Sequence, residues 1–160
     1  MNEIRFYARD RQRYGWLSNF HLITGGIAVS DFDDIDHLTT RLTWPTTEHY
    51  YQAQKFSPII LREAIRSCPK PGDAKRLARL NRNFIRADWD SIKTDVMLRA
   101  LRAKFGVPYL RKLLLGTGDA VLVEDSPGDF FWGTGHDGTG QNMLGKLLMQ
   151  VRRELNGTQD

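Results

Sequence analysis

An α+β fold is what this sequence predicts: one helix-rich domain over residues 1–160 with a few short strands. Three observations point to it. Proline, glycine and small polar residues punctuate the chain at helix-length intervals, the β-prone runs are only three to five residues long, and no linker, repeat or low-complexity tract divides the 160 residues. A chain of this size buries about two thirds of its unfolded surface without help from cross-links.

Taken in order, Ile4-Arg5-Phe6-Tyr7 is a short β-prone run, and Tyr14-Gly15-Trp16-Leu17-Ser18-Asn19-Phe20 an aromatic loop. That loop suits either a wall that stacks on a planar ring or an aromatic cluster covering the core. Gly25-Gly26 turns into a strand at Ile27–Ser30, and Leu42-Thr43-Trp44 forms another. Between them Asp31, Asp33, Asp34 and Asp36 resemble a calcium loop, but the glycine and distal glutamate are absent at the required offsets, so an exposed loop is expected.

Pro45 suits the entry to a helix, Thr46 caps it, and Ser57-Pro58 closes it after Phe56, about three turns later. On that helix Glu48, Gln52 and Lys55 fall at i, i+4 and i+7, while Tyr51 and Phe56 point elsewhere. At about 1.5 Å per residue the outer pair is roughly 10.5 Å apart along the axis, and Lys55 leans back toward Glu48. The space between the tips suits one sugar ring. The same stripe is also compatible with an ordinary solvated face.

Ser57 and Pro58 then open a second helix that ends before Pro69, and Asp73 caps a basic helix reaching about Leu80. Trp89 opens the longest helix, with Ile92, Val96, Leu101 and Phe105 apolar and Gly106 as its stop, and Pro108 to Gly116 bounds another. Ala120–Glu124 reads as a buried strand whose last residue is a carboxylate. The closing helix carries Leu144, Leu147, Leu148, Val151 and Leu155 at helical spacing.

Before that helix lies Asp129-Phe130-Phe131-Trp132-Gly133-Thr134-Gly135-His136-Asp137-Gly138-Thr139-Gly140. Residues 133–138 satisfy G-x-G-x-x-G, but no βαβ unit follows, so a dinucleotide fold is rejected. Glycines beside a helix start suit a ligand loop in which backbone N–H groups approach an anion; a flexible surface loop is the alternative.

Composition narrows the classes further. The single Cys68 excludes an internal disulfide, and no Cys/His cluster has metal-ligand spacing, so no metal and no cofactor are expected. No apolar run approaches the ~18 residues of a membrane span, and no signal-peptide core is found, so a soluble cytoplasmic protein is the expectation. The net charge of +4 is unevenly placed: eight basic residues between Arg62 and Arg86 face two acidic ones. Such a stretch attracts a phosphate-bearing ligand or forms a solvated helical face.

With the segments assembled, the chain resembles the NADAR (YbiA-like) family over nearly its full length. The residues that carry this are Phe6-Tyr7, Ser18-Asn19-Phe20, the run from Trp44 to Phe56, Trp89, Met97 to Phe105, Val123-Glu124, and Asp129 to Gly145. The 21–43 segment is longer than in compact members, and the residues around Leu80-Asn81-Arg82 depart from the family pattern.

The resemblance implies an N-glycosidase that cleaves between an amino group of a base and C1′ of ribose. The implied substrates are guanine carrying ADP-ribose in nucleic acid, and phosphorylated ribosylamino-pyrimidine intermediates of riboflavin synthesis. A cognate ADP-ribosyltransferase toxin is the implied protein partner. Glu48, Lys55, Asp129 and Trp89 are the catalytic candidates, with Lys55 as nucleophile, Glu48 as proton shuttle and Asp129 as second carboxylate. Phe6, Tyr7, Asn19, Phe20, Trp44, Gln52, Glu124, Trp132, Gly133, Gly135 and Asn142 are the substrate-lining candidates. Two other readings stay open: a module that binds ADP-ribose without cleaving it, and a nucleic-acid-binding protein built on the basic 62–86 stretch.

Overall fold

The alternation Glu3-Ile4-Arg5-Phe6 sends two apolar side chains to one face of an extended chain, and in the computed structural model Ile4 and Phe6 are buried while Glu3 and Arg5 are exposed. The structure describes residues 2–7, 13–34 and 41–157; Asp36 of the acidic run lies outside the described residues. Backbone proximity divides the chain into two compact units, Met1–His21 with Phe105–Asp160, and Leu22–Lys104. Among the described residues there are six α-helices and four short strands, a mixed α+β content.

In the first unit, β1 (Glu3–Phe6) pairs in parallel with β4 (Val121–Glu124), Glu3 opposite Val121 and Phe6 opposite Glu124. Phe6 has no exposed surface and packs in the core. Helix α5 (Pro108–Leu115) begins on proline and is capped by Gly116. Helix α6 (Met143–Gly157) buries Leu144, Leu147, Leu148 and Val151. Its Gly145 sits where a Cβ would strike the Leu122 carbonyl, so only glycine allows α6 this close to β4. In the aromatic loop Trp16 lies edge-on to Phe105 with centroids 6.2 Å apart, and Leu17 is fully buried, so this loop packs as part of the core.

The outer side of β4 is completed by a side chain. Asn142 Nδ2 donates to the Leu122 carbonyl (2.9 Å) and its Oδ1 accepts from the Glu124 N–H (2.9 Å). A neighbouring strand would use these same two groups. Asn142 reaches them from φ 49°, a left-handed conformation that asparagine tolerates better than most residues.

In the second unit, β2 (Ile27–Val29) runs antiparallel to β3 (Leu42–Trp44). Trp44 is fully buried, donates its indole N–H to the Val29 carbonyl (3.0 Å) and meets the Tyr50 ring edge-on at 5.3 Å. Trp44 is thereby part of the core of this unit.

Helix α1 (Thr47–Ala53) follows, capped by Thr46, whose hydroxyl accepts from the His49 N–H. It is shorter than the sequence suggests: Pro45 stays outside the cap, and the chain tightens after Ala53 through Lys55 N–H to Gln52 and Phe56 N–H to Ala53 bonds. Pro58 disfavours helix at Ser57, and Gln54 turns its amide to Asp31 and the Phe32 N–H. Helices α2 (Ile59–Arg66) and α3 (Pro71–Leu80) pack beside α1. Pro71 takes the first turn of α3, and Asp73 lies inside that turn rather than at the cap. A 3-10 turn, Arg82–Phe84, leads to α4 (Trp89–Gly106).

His49 fastens α1 to its neighbours. Its Nε2 donates to the Cys68 carbonyl at 3.0 Å, which leaves Nδ1 to accept from the Thr46 hydroxyl at 2.8 Å. The ring is fully buried, and burial pushes its pKa below the ordinary histidine value. Within the described part of the acidic run Asp33 is exposed as expected and Asp31 and Asp34 are half-buried. Asp31 pairs with Arg62 (3.3 Å), and Asp33 takes both terminal nitrogens of Arg86 (2.8 and 2.9 Å).

Candidate active site

Thr46 sets the start of α1, and the helix period then brings Glu48 and Gln52 together. Both are buried, at 6% and 3% exposure, and Gln52 Nε2 donates to Glu48 Oε1 at 2.7 Å. This orientation of the amide directs a donor at the carboxylate. It leaves Gln52 Oε1 buried and without a hydrogen-bond partner among the described residues. A buried orphan acceptor of this kind costs about 1–3 kcal/mol, an outlay that packing alone does not explain.

Lys55 arrives by a different path from the i+7 helical position read from the sequence. It sits in the tight turn after Ala53, and its carbonyl accepts from the Arg86 N–H at 2.9 Å. Its ammonium lies 5.3 Å from the Tyr51 ring centroid and 5.8 Å from that of Trp89, over a tilted aromatic pair whose centroids are 5.0 Å apart. Burial is the largest influence on the amine and pushes its pKa below the ordinary lysine value; the attraction of Glu48 opposes this, and Lys75 and Lys93 reinforce it.

Tyr51 is the residue that sequence reasoning missed by placing it on another face. The contact depends on the chain leaving the helix after Ala53, which helical spacing does not signal. Trp89 is 8% exposed and serves as the second ring under the ammonium.

The remaining expected residues belong to the other unit. Glu124 ends β4 and is buried. Its carbonyl accepts from the Thr134 N–H (3.0 Å). Asp129 Oδ1 accepts from the N–H groups of Phe131 (2.9 Å) and Trp132 (2.7 Å), so this carboxylate caps the turn that opens the glycine loop. Gly133 and Gly135 are buried, and the Gly135 N–H is engaged by the Ser126 and Asp129 carbonyls. Gly135 has φ 70°, and a Cβ there would collide with the Phe130 ring. The loop folds on itself through these bonds, and the amide of Asn142 holds β4.

Tyr7 is exposed, Asn19, Phe20 and Trp132 are half-buried, and Trp132 meets Phe131 edge-on at 4.9 Å. Among the described residues no group of His, Cys, Asp or Glu has the makings of a metal site, and no helix is long and apolar enough to cross a membrane.

The model of the NADAR domain matches residues 5–156. The chain belongs to the NADAR family. N-glycosidase YbiA of Shigella boydii is 49% identical over 114 residues, covering 71% of each chain. The chloroplastic riboflavin biosynthesis protein PYRR of maize (Zea mays) is 47% identical over 128 residues; the match takes in 72% of this NADAR chain but spans only 20% of the maize protein. The solution NMR structure of E. coli YbiA superimposes with a TM-score of 0.76 at 40% identity, covering 98% of this chain and 87% of that one. Within this NADAR chain, the Trp44 to Phe56 run supplies the buried Glu48–Gln52 pair and the seated lysine together.

Proposed function

We propose that this chain is an N-glycosidase hydrolysing the bond between an amino group of a base and C1′ of ribose. Its substrates are phosphorylated ribosylamino-pyrimidine intermediates of riboflavin synthesis and guanine carrying ADP-ribose in nucleic acid. One observation carries the reading: the Lys55 amine rests over Tyr51 and Trp89 with its pKa lowered by burial, within the field of the buried Glu48.

Both substrates are glycosylamines, and this makes a lysine useful. As the ribose opens, the C1′–O4′ bond breaks, O4′ takes a proton, and the base nitrogen forms a double bond to C1′. Neutral Lys55 Nζ adds to C1′, and the base amine departs with a proton handed over by Glu48. Water then adds to the lysine imine, Nζ leaves, and the sugar aldehyde recloses. Gln52 holds Glu48 as proton donor and acceptor through its 2.7 Å bond.

The test incubates the purified protein with ADP-ribosylated guanine and with a ribosylamino-pyrimidine phosphate, each with and without borohydride. The expected result is cleavage together with a reduced sugar adduct on the peptide containing Lys55, both lost in Lys55→Ala. Cleavage that survives in Lys55→Ala without any adduct replaces the covalent route by carboxylates activating water. Binding of ADP-ribose without turnover of either compound overturns the enzymatic reading in favour of a binding module.

A further inference from the structure

The basic stretch divides in the structure into a neutralised part and an exposed part. Arg62, Arg66 and Arg86 are tied to Asp31, Glu63, Asp33 and Asp88. The outer side of α3 stays in solvent: Lys75, Arg76 and Arg79 recur at i, i+1 and i+4 opposite the buried Pro71, Ala74 and Ala78. Arg76 reaches Asp73 at 3.4 Å, through an ion pair at the surface that water and salt screen. Arg82 continues the exposed run on the 3-10 turn.

Two apolar side chains stand among these cations. Leu80 is 73% exposed and Phe84 67% exposed. A solvated helix end gains nothing from a projecting phenyl ring, whereas arginines interleaved with an exposed aromatic are what a single-stranded polynucleotide binds: cations follow the phosphates and a base stacks on the ring.

The patch also adjoins the reactive amine. Lys75 on α3 is near enough to Lys55 to help lower its pKa. The Arg86 N–H, two residues after Phe84, donates to the Lys55 carbonyl.

We propose that the outer face of α3 and the Arg82–Phe84 turn form a docking track for single-stranded nucleic acid. Arg79 and Arg82 hold the sugar-phosphate backbone, and Phe84 stacks on an unpaired base beside the modified nucleotide that reaches Lys55. The track rests on the proposed N-glycosidase reading only for what it delivers; the binding itself is independent of turnover.

The test measures anisotropy of a fluorescein-labelled, unmodified deoxyoligonucleotide with the full chain across a salt series. Single strands are expected to bind with an affinity that falls steeply with salt. Arg79→Gln/Arg82→Gln flattens the log–log salt slope by about 1.4, at roughly 0.7 for each phosphate no longer neutralised. Phe84→Ala weakens binding about tenfold with the slope unchanged, as removal of one stacking partner predicts. Affinity equal to the parent's in both variants overturns the track, and so does a parent that prefers the annealed duplex.

A second readout separates this from the reaction. If modified guanine is cleaved, both variants raise KM for the modified oligonucleotide relative to that for the modified mononucleotide, which has no flanking phosphates or bases to offer Arg79, Arg82 and Phe84. An unaltered ratio sinks the track while leaving the N-glycosidase standing. Failure of the parent to cleave either substrate sinks the N-glycosidase while the anisotropy result still decides the track.

Discussion

Replacing Thr46 by valine removes one oxygen and should loosen the helix that carries Glu48. The hydroxyl does two things at once: it accepts from the His49 N–H as the cap of α1 and donates to His49 Nδ1 at 2.8 Å. Both residues are fully buried, so water cannot replace either bond. Loss of a cap costs about 1 kcal/mol, and leaving the buried ring nitrogen unpartnered adds about 1–3 kcal/mol. The valine methyl fills the hydroxyl's volume, so no cavity contributes. A total of about 2–4 kcal/mol is expected, which for a chain of this size lowers Tm by roughly 4–16 °C.

Urea unfolding of parent and Thr46→Val measures it, as a fall in midpoint at constant m. His49 supplies a second arm. Its pKa is lowered on folding, so the unfolded chain binds the proton first, and its contribution is complete above the unfolded value near 6.5 and declines as pH falls through the folded one. The gap in stability between parent and His49→Gln should therefore shrink between about pH 7 and about pH 5. A Thr46→Val midpoint equal to the parent's, or a gap independent of pH, refutes the assignment of these two bonds.

Three further outcomes follow from the geometry. Gln52→Leu removes the donor to Glu48 together with the orphan Oε1, so unfolding should stay near the parent's while kcat/KM falls about tenfold or more, the worth of a charge-assisted bond of roughly 1.5–3 kcal/mol; equal turnover would mean Glu48 needs no partner. Turnover should rise as pH climbs toward the depressed pKa of Lys55, and Trp89→Ala, by admitting water to the amine, should move that limb of the pH profile upward; a shift downward contradicts burial as the cause. Asn142→Ala strips β4 of both outer-edge bonds and should cost about 2–4 kcal/mol in urea unfolding; a loss below about 0.5 kcal/mol would show that water or backbone takes over.

Much of this was legible in the chain because it is local. Thr46 reads as a cap wherever it occurs before a helix, and Pro108, Gly106 and Gly116 mark helix ends by their own backbone limits. The Glu48–Gln52 contact is fixed by the helix period alone. What escaped depends on partners distant in sequence. Nothing near Trp44 says that its indole will find the Val29 carbonyl, and nothing near Asp33 says that it will clasp Arg86. The early end of α1 is a third case: the turn at Gln54 is held by Asp31 and Phe32, and it moves Lys55 off the extrapolated stripe onto two aromatic rings. At Asp129 the turn-closing bonds of Oδ1 to the Phe131 and Trp132 N–H groups are local, two and three residues ahead.

The Asn142 amide on β4 has a bearing on how this protein behaves when crowded. A two-stranded ribbon normally presents a row of open donors and acceptors that another molecule can zip onto, which is how extended chains recruit copies into fibrils. Along the side of β4 away from β1 that row is already occupied: the Asn142 carboxamide takes the Leu122 carbonyl and the Glu124 N–H, and the Thr134 N–H takes the Glu124 carbonyl. That side of the short ribbon is thereby closed to another strand by an asparagine side chain and a loop N–H, without a third strand.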